Sequence, residues 1–178
     1  NGGDGTGSSL KMGTRGNAQM GNMFGLARDP TNSDLVVTIW GRNCALRVTE
    51  YGSVASFVGA RMWPTTDYNH AGIEGIGLQS RIGEKPYGVA VDSSGTAYTN
   101  ANCMVRATPG ASVSIVIGRQ VGPPATCAVG YAEGGIGTSR VKTPANMAWK
   151  SSTELVFADY GNHVIRQLDT STDVTTLV

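Results

Sequence analysis

Asn43-Cys44-Ala45-Leu46-Arg47 returns as Asn102-Cys103-Met104-Val105-Arg106 and again as Asn162-His163-Val164-Ile165-Arg166, with the arginines 59 and 60 residues apart. Each copy reads Asn, then Cys or His, two apolar residues and Arg. A β-rich run follows each copy: Val54-Ala55-Ser56-Phe57-Val58, Val113-Ser114-Ile115-Val116-Ile117 and Val174-Thr175-Thr176-Leu177-Val178. Upstream, in the same phase, stand Phe24-Gly25-Leu26-Ala27, Pro86-Tyr87-Gly88-Val89-Ala90-Val91-Asp92 and Pro144-Ala145-Asn146-Met147-Ala148-Trp149. A glycine loop opens each unit, at Asp4-Gly5-Thr6-Gly7, Glu74-Gly75-Ile76-Gly77 and Glu133-Gly134-Gly135-Ile136-Gly137. Four features in one order, three times, define a sequence repeat.

Within a unit the apolar segments are short, β-branched or alternating, and separated by turn chemistry such as Asp92-Ser93-Ser94-Gly95 and Asp159-Tyr160-Gly161-Asn162. No window holds a helical i, i+3, i+4, i+7 stripe, which excludes a helical solenoid. Four short antiparallel strands per repeat make a propeller blade. The expected fold is therefore all-β, a β-propeller of three four-stranded antiparallel blades. The blades are placed at about 1–59, 60–118 and 119–178. Such a set is either part of a larger propeller or half of a six-bladed ring.

The order of glycine loop, Pro-x-Gly-Val-Ala-Val-Asp, strand, Asn-His-x-Ile-Arg and Val-Thr-Thr-Leu-Val resembles NHL-repeat propellers, with Asn162 and His163 nearest the signature that names the family. The chain departs from that pattern at Met23, where Pro is expected, and at Cys44 and Cys103, which replace His. The connections Ala60 to Asn69 and Arg119 to Val129 are also longer than the family's.

The repeated Arg is a cation on a third strand, suited to pair with a carboxylate of a neighbouring blade: Glu74 for Arg47 and Glu133 for Arg106. The competing reading makes these arginines ligand anchors. Asp159 and Asn162 sit where the chain must reverse, and their side chains can bond backbone there. Because Cys twice replaces His163, a shared catalytic base at that position is not expected. The cysteines Cys44, Cys103 and Cys127 match no zinc spacing. They read as small half-buried thiols, with a Cys103–Cys127 disulfide as the alternative and no bond between Cys44 and Cys103.

Fourteen basic and thirteen acidic residues leave a formal charge of +1, with no long block of either sign, so nucleic acid is not an expected partner. Apolar runs such as Leu35 to Ile39 are far below the ~20 residues of a membrane span. Phosphate-loop, zinc-protease and serine-hydrolase motifs are missing from the sequence, and neither a metal nor a cofactor is expected. The leading function is a scaffold that grips another protein or a peptide through loops on one propeller face. Trp63, Asp67 and Tyr68 are the candidate contacts, since Trp and Tyr favour binding hot spots; Trp40 and Trp149 are expected in blade cores. The alternative, from what the resemblance implies, is a lyase or lactonase with a metal on the propeller axis; only His70 and His163 are present to serve it. Three blades would also leave open faces patterned with residues such as Val36, Val89 and Val156, to be covered by self-association or by further blades.

Overall fold

The computed structural model describes residues 11–14, 16–18, 20–40, 42, 44–59, 74–80, 82–83, 85–100, 102–119 and 127–178. Among these, β1 (Met23–Arg28), β2 (Leu35–Ile39), β3 (Cys44–Val48) and β4 (Val54–Val58) form one antiparallel sheet in chain order. A second sheet contains β5 (Gly75–Ile76), β6 (Val89–Val91), β7 (Ala97–Asn100), β8 (Met104–Ala107) and β9 (Ser112–Ile117), with β5 laid on the outer edge of β9. The third contains β10 (Pro144–Trp149), β11 (Glu154–Asp159), β12 (Val164–Asp169) and β13 (Val174–Leu177). No α-helix is found among the described residues; Gly77–Gln79 and Tyr160–Asn162 are single 3-10 turns.

Local chemistry sets the hairpins. In the β1–β2 turn Asp29 accepts from the amide of Thr31 (2.9 Å) and its hydroxyl (2.6 Å). Asp92 does the same for Ser94 and also takes the amide of Thr96 (3.0 Å), closing β6 onto β7. Asp169 accepts from Ser171 (2.9 Å) between β12 and β13. A short carboxylate that bonds the backbone two residues ahead reverses the chain, which is why Asp follows these strands.

The glycine loops run along the outer strands. Gly75 pairs with Val113 of β9, Gly134 bridges Thr175 of β13, and in the first unit Gly13 bridges Val54 of β4. The expected first loop at Asp4 lies outside the described residues, and Gly13 holds the equivalent place.

The core lies between the sheets. Val36, Ala45, Phe57 and Val58 of the first sheet pack with Val89, Val91, Val105 and Ile115 of the second. Tyr98, Met104 and Ile117 of the second pack with Leu155, Phe157 and Leu168 of the third. Alternation along each strand sends one set of side chains to the preceding blade and the other to the following one. Burying each Val, Leu, Ile or Phe is worth about 1.5–3 kcal/mol, so these contacts dominate the cohesion between blades. Phe157 is fully buried, and its truncation to Ala costs about 3–5 kcal/mol.

Val36 and Val89, expected on open faces, are therefore corrected: both are buried between the first and second blades. Val156 does lie on the outward face of the third blade, where it is half-buried beside the exposed Ile165. On the other side of the molecule Met12, Ala18 and Met20 pack over the first sheet's preceding face, against Val37, Ile39 and Leu46.

The inner strands approach one another through glycine. A Cβ on Gly25 would stand 2.6 Å from Thr38 Oγ1 and 3.0 Å from the backbone of Gly88 and Val89. One on Gly88 would stand 3.0 Å from the carbonyl oxygen of Ala145. Asn100 ties the same junction, accepting from the Gly88 amide (3.0 Å) and donating to the Ala145 carbonyl.

Candidate functional site

The three motif arginines do not occupy equivalent places. Arg47 stands opposite Val36 and Arg106 opposite Tyr98, whereas Arg166 stands opposite Phe157. Directly opposed residues share a face. Val36 and Tyr98 each pack on the following blade and Phe157 on the preceding one, so Arg166 faces the opposite way from the other two. Ile39 and Asp159 end their second strands at matching places, opposite Met23 and Pro144. From Ile39 to Arg47 is eight residues and from Asp159 to Arg166 seven, and a one-residue slip moves a side chain to the other face.

Their partners also differ from expectation. Arg47 donates to Asp29 of its own blade (2.7 Å) and lies over the Phe57 ring, not against Glu74. Arg106 does cross to the next blade, but it meets Asp173 (3.2 Å), not Glu133. Arg166 donates through Nε to Asp159 (2.7 Å) with both side chains fully buried, bonds the Ala132 carbonyl (3.2 Å) and stacks over Tyr131. Glu74 and Glu133 are taken up elsewhere, because the loop that carries each one borders the last strand of its own unit. Glu74 accepts the Ile115 amide (3.1 Å) and a two-point contact from Arg119; Glu133 accepts the Leu177 amide (3.0 Å).

These environments move the carboxyl groups in opposite directions. Burial alone would raise Asp29, but the Thr31 hydroxyl and amide and the Arg47 guanidinium outweigh it and hold the group below the usual carboxylate range. Glu74 behaves likewise, burial being outweighed by Arg119 and the Ile115 amide. At Asp173 burial prevails over Arg106, and the carboxyl is raised.

The reading of all three cysteines as thiols is corrected at two of them. Cys103, in the turn before β8, is joined to Cys127 with Cα atoms 5.5 Å apart, which fastens the chain leading into the third blade onto the second. Spacing had left this open because the contact depends on how that connection folds back, as the bridge between Arg119 and Cys127 shows. Cys44 is buried in the first blade. His163 is exposed and left-handed (φ 58°) at the end of the Tyr160–Asn162 turn. Asn162 donates to Asp159 (2.7 Å) and to the Gly130 carbonyl (2.8 Å). Asn102 is exposed in the equivalent turn of the second blade. Asn43, Trp63, Asp67, Tyr68 and His70 lie outside the described residues.

What the structure does assemble is an aromatic cluster at the end where the inner strands begin and the second strands finish. Phe24 stacks on Trp40 at 6.1 Å and meets the Tyr87 ring edge-on at 5.9 Å, and the Lys85 ammonium lies 5.8 Å over the Trp40 ring. Phe24 is 57 % exposed. Trp40, expected in a blade core, is thus a half-buried member of this surface, held by its amide to the Asn22 carbonyl (2.9 Å). Trp149 does pack between blades, against Tyr98, with its indole donating to the Val91 carbonyl (2.9 Å). Phe24 and Tyr87 were missed by sequence reasoning; the available signal was that each directly precedes the repeat's inner-strand glycine. Among the described residues no three His, Cys, Asp or Glu side chains come together to hold a metal ion, and no helix is long and apolar enough to cross a membrane.

No protein-family model and no curated protein matches the sequence. Among solved structures the chain is similar to an auxiliary nutrient binding protein from Bacteroides thetaiotaomicron VPI-5482, with 17 % identity over 90 % of this chain and 36 % of that one, at a TM-score of 0.60. It is also similar to a gluconolactonase from Xanthomonas campestris, with 11 % identity over 97 % of this chain and 48 % of that one, at 0.56. A protein from Bacteroides ovatus ATCC 8483, also described as an auxiliary nutrient binding protein, matches at 16 % identity over 87 % and 35 %, at 0.59. The chain spans between about a third and a half of the length of these proteins. At such identities the likeness carries the fold alone: three blades of a β-propeller.

Proposed function

We propose that this chain is a non-catalytic binding scaffold built of three NHL-type repeats, at about 1–59, 60–118 and 119–178, and that it takes a protein or peptide partner on one end of the propeller. The observation that carries this is the surface cluster of the exposed Phe24 with the half-buried Trp40 and Tyr87, shared between two blades that are themselves locked together. Rings presented on a rigid support anchor a partner at low entropic cost. The nutrient-binding description of two similar structures agrees with a binding role. The outward face of the third blade, with Val156 and Ile165, takes a further blade; a head-to-tail second copy is disfavoured, because Met12, Ala18 and Met20 already pack over part of the first blade's preceding face.

Selection of a random-peptide display library on the protein tests the scaffold reading. Peptides that bind the parent and lose binding to Phe24→Ala or Tyr87→Ala are the expected result. Binding indifferent to both substitutions, or metal-dependent turnover of lactones by the parent protein, overturns it.

A further inference from the structure

The two ends of the blades carry different charge, and turn chemistry explains why. At the end holding the hairpins β1–β2, β3–β4, β6–β7, β10–β11 and β12–β13 stand Asp29, Asp34, Glu50, Asp92, Glu154, Asp169 and Asp173, outnumbering Arg28, Arg47, Arg106 and Lys150. Asp29, Asp92 and Asp169 close turns there, and Asp173 holds Arg106. At the other end, in the turns after the second strands and in the residues leading into the inner strands, the described cations include Arg42, Lys85, Arg140 and Lys142. Of the described carboxylates in these segments, Asp159 is buried and held by Arg166, Glu74 is paired with Arg119, and the exposed Glu133 accepts the Leu177 amide. This is the end that carries Phe24, Trp40 and Tyr87.

Lys85 and Lys142 are placed rather than incidental. Lys85 is exposed, precedes the buried Pro86 and lies over Trp40. Lys142 is exposed, while its backbone is clamped on both sides: its amide donates to Asp159 (2.7 Å) and its carbonyl accepts from Gly161 (2.8 Å). The stem of Lys142 lies against Gly161, where a Cβ would come within 2.6 Å of Lys142 Cγ. Each ammonium is thus presented to solvent from a fixed root, one on the second blade and one on the third. The second and third inner strands are in backbone contact through Gly88 and Ala145.

Resting on the scaffold reading above, we infer that the partner of this end is an acidic peptide segment with an apolar anchor. The anchor side chain sits on Phe24 and Tyr87, and neighbouring carboxylates meet Lys85 and Lys142. An apolar patch beside like-signed cations selects a ligand of the opposite sign by attraction and rejects a basic one by repulsion.

The test is a fluorescence-anisotropy titration of the protein with two labelled peptides of equal length, each with one central Trp, flanked in one by Glu and Asp and in the other by Lys. At low salt the acidic probe is expected to bind at least about tenfold tighter, with the difference shrinking as salt rises past physiological strength. Lys85→Glu combined with Lys142→Glu is expected to erase the preference, while Lys150→Glu at the opposite end leaves it intact. Circular dichroism of each variant confirms the fold. Equal binding of both probes, lost together in Phe24→Ala, overturns the acidic assignment and leaves the scaffold standing. Failure of both probes and of library-selected peptides to bind overturns both readings. Tighter binding of single-stranded nucleic acid than of the acidic probe overturns the peptide assignment.

Discussion

Replacing Arg166 by Met removes the guanidinium of a fully buried pair and leaves Asp159 in the protein interior with the Lys142 amide and Asn162 as its remaining partners among the described residues. The contacts with the Ala132 carbonyl and the Tyr131 ring go as well. Removing one member of a buried pair costs about 3–5 kcal/mol, because the remaining charge has no solvent to return to. For a chain of this length each kcal/mol moves the melting temperature by roughly 2–4 °C, so a fall of roughly 6–20 °C is expected. Arg47→Met makes the comparison, since Arg47 is 18 % exposed and Asp29 keeps both Thr31 bonds. Asp29 is itself buried, so this is not a surface pair, but the bonds it keeps from Thr31 and the partial access of water at Arg47 make the expected loss smaller than at Arg166. Differential scanning calorimetry of both variants measures the gap. The combined change Arg166→Met with Asp159→Asn is expected to recover part of the loss, because a neutral pair leaves no buried charge. An Arg166→Met shift no larger than that of Arg47→Met would falsify the claim that the third arginine is turned into the interior.

Gly25→Ala drives a Cβ into Thr38 Oγ1 and the backbone of the next blade and is expected to cost about 1–3 kcal/mol in chemical denaturation; Gly110→Ala, whose Cβ meets nothing closer than 3.9 Å, is the matched control, and equal midpoints contradict the close-approach argument. Cys103→Ser with Cys127→Ser, or incubation with dithiothreitol, should speed tryptic cleavage after Arg119, because the second blade no longer holds the segment that follows it; unchanged digestion, or a non-reduced digest without the linked peptide, counts against the bond. On acidification, Asp29 and Glu74, whose carboxyls are depressed, contribute stability above their unfolded pKa that is lost as pH falls through the folded value. Asp173, whose carboxyl is raised, has the opposite sign, so that Asp29→Asn should flatten the acid limb of a stability–pH curve and Asp173→Asn should steepen it; the same slope in both variants would refute the assignment.

The all-β fold of three antiparallel sheets was open to reading because it rests on local chemistry: Asp92 and its neighbours make a turn wherever they stand in the fold; the two-residue β5, a fifth strand of the second sheet, was not. The pairing of Arg47 with Glu74 was not either, because Glu74 lies along the last strand of its own unit, where Arg119 and the Ile115 amide take it; nor was the facing of Arg166, since a matched motif need not mean a matched face. Facing depends on parity, and parity depends on how many residues each hairpin spends in its turn, which the motif does not encode. The sulfur bridge was hidden for a related reason, since Cys103 and Cys127 meet only once the connection into the third blade has doubled back beside Gly118. The aromatic cluster needed two facts at once: that Phe24 and Tyr87 occupy one repeat position, and that the glycine after each lets adjacent inner strands come near enough for their rings to touch.

The third unit shows what such a slip does to a repeat. Arg47 and Arg106 face the following blade, where Arg106 reaches the carboxylate of Asp173. With Arg166 turned back, the position opposite Val156 passes to Gln167, which bonds Glu154 (2.6 Å) and Lys150 (2.8 Å) along its own sheet. The inner-strand glycine is likewise replaced by Asn146. The outward face of the third blade therefore keeps apolar residues at Val156 and Ile165 but lacks both the outward arginine and the glycine contact that the first two blades use. A blade packing there would meet a Gln167 already partnered within its own sheet and would stand farther from the inner strand, so such a junction would differ in kind from the two within this chain.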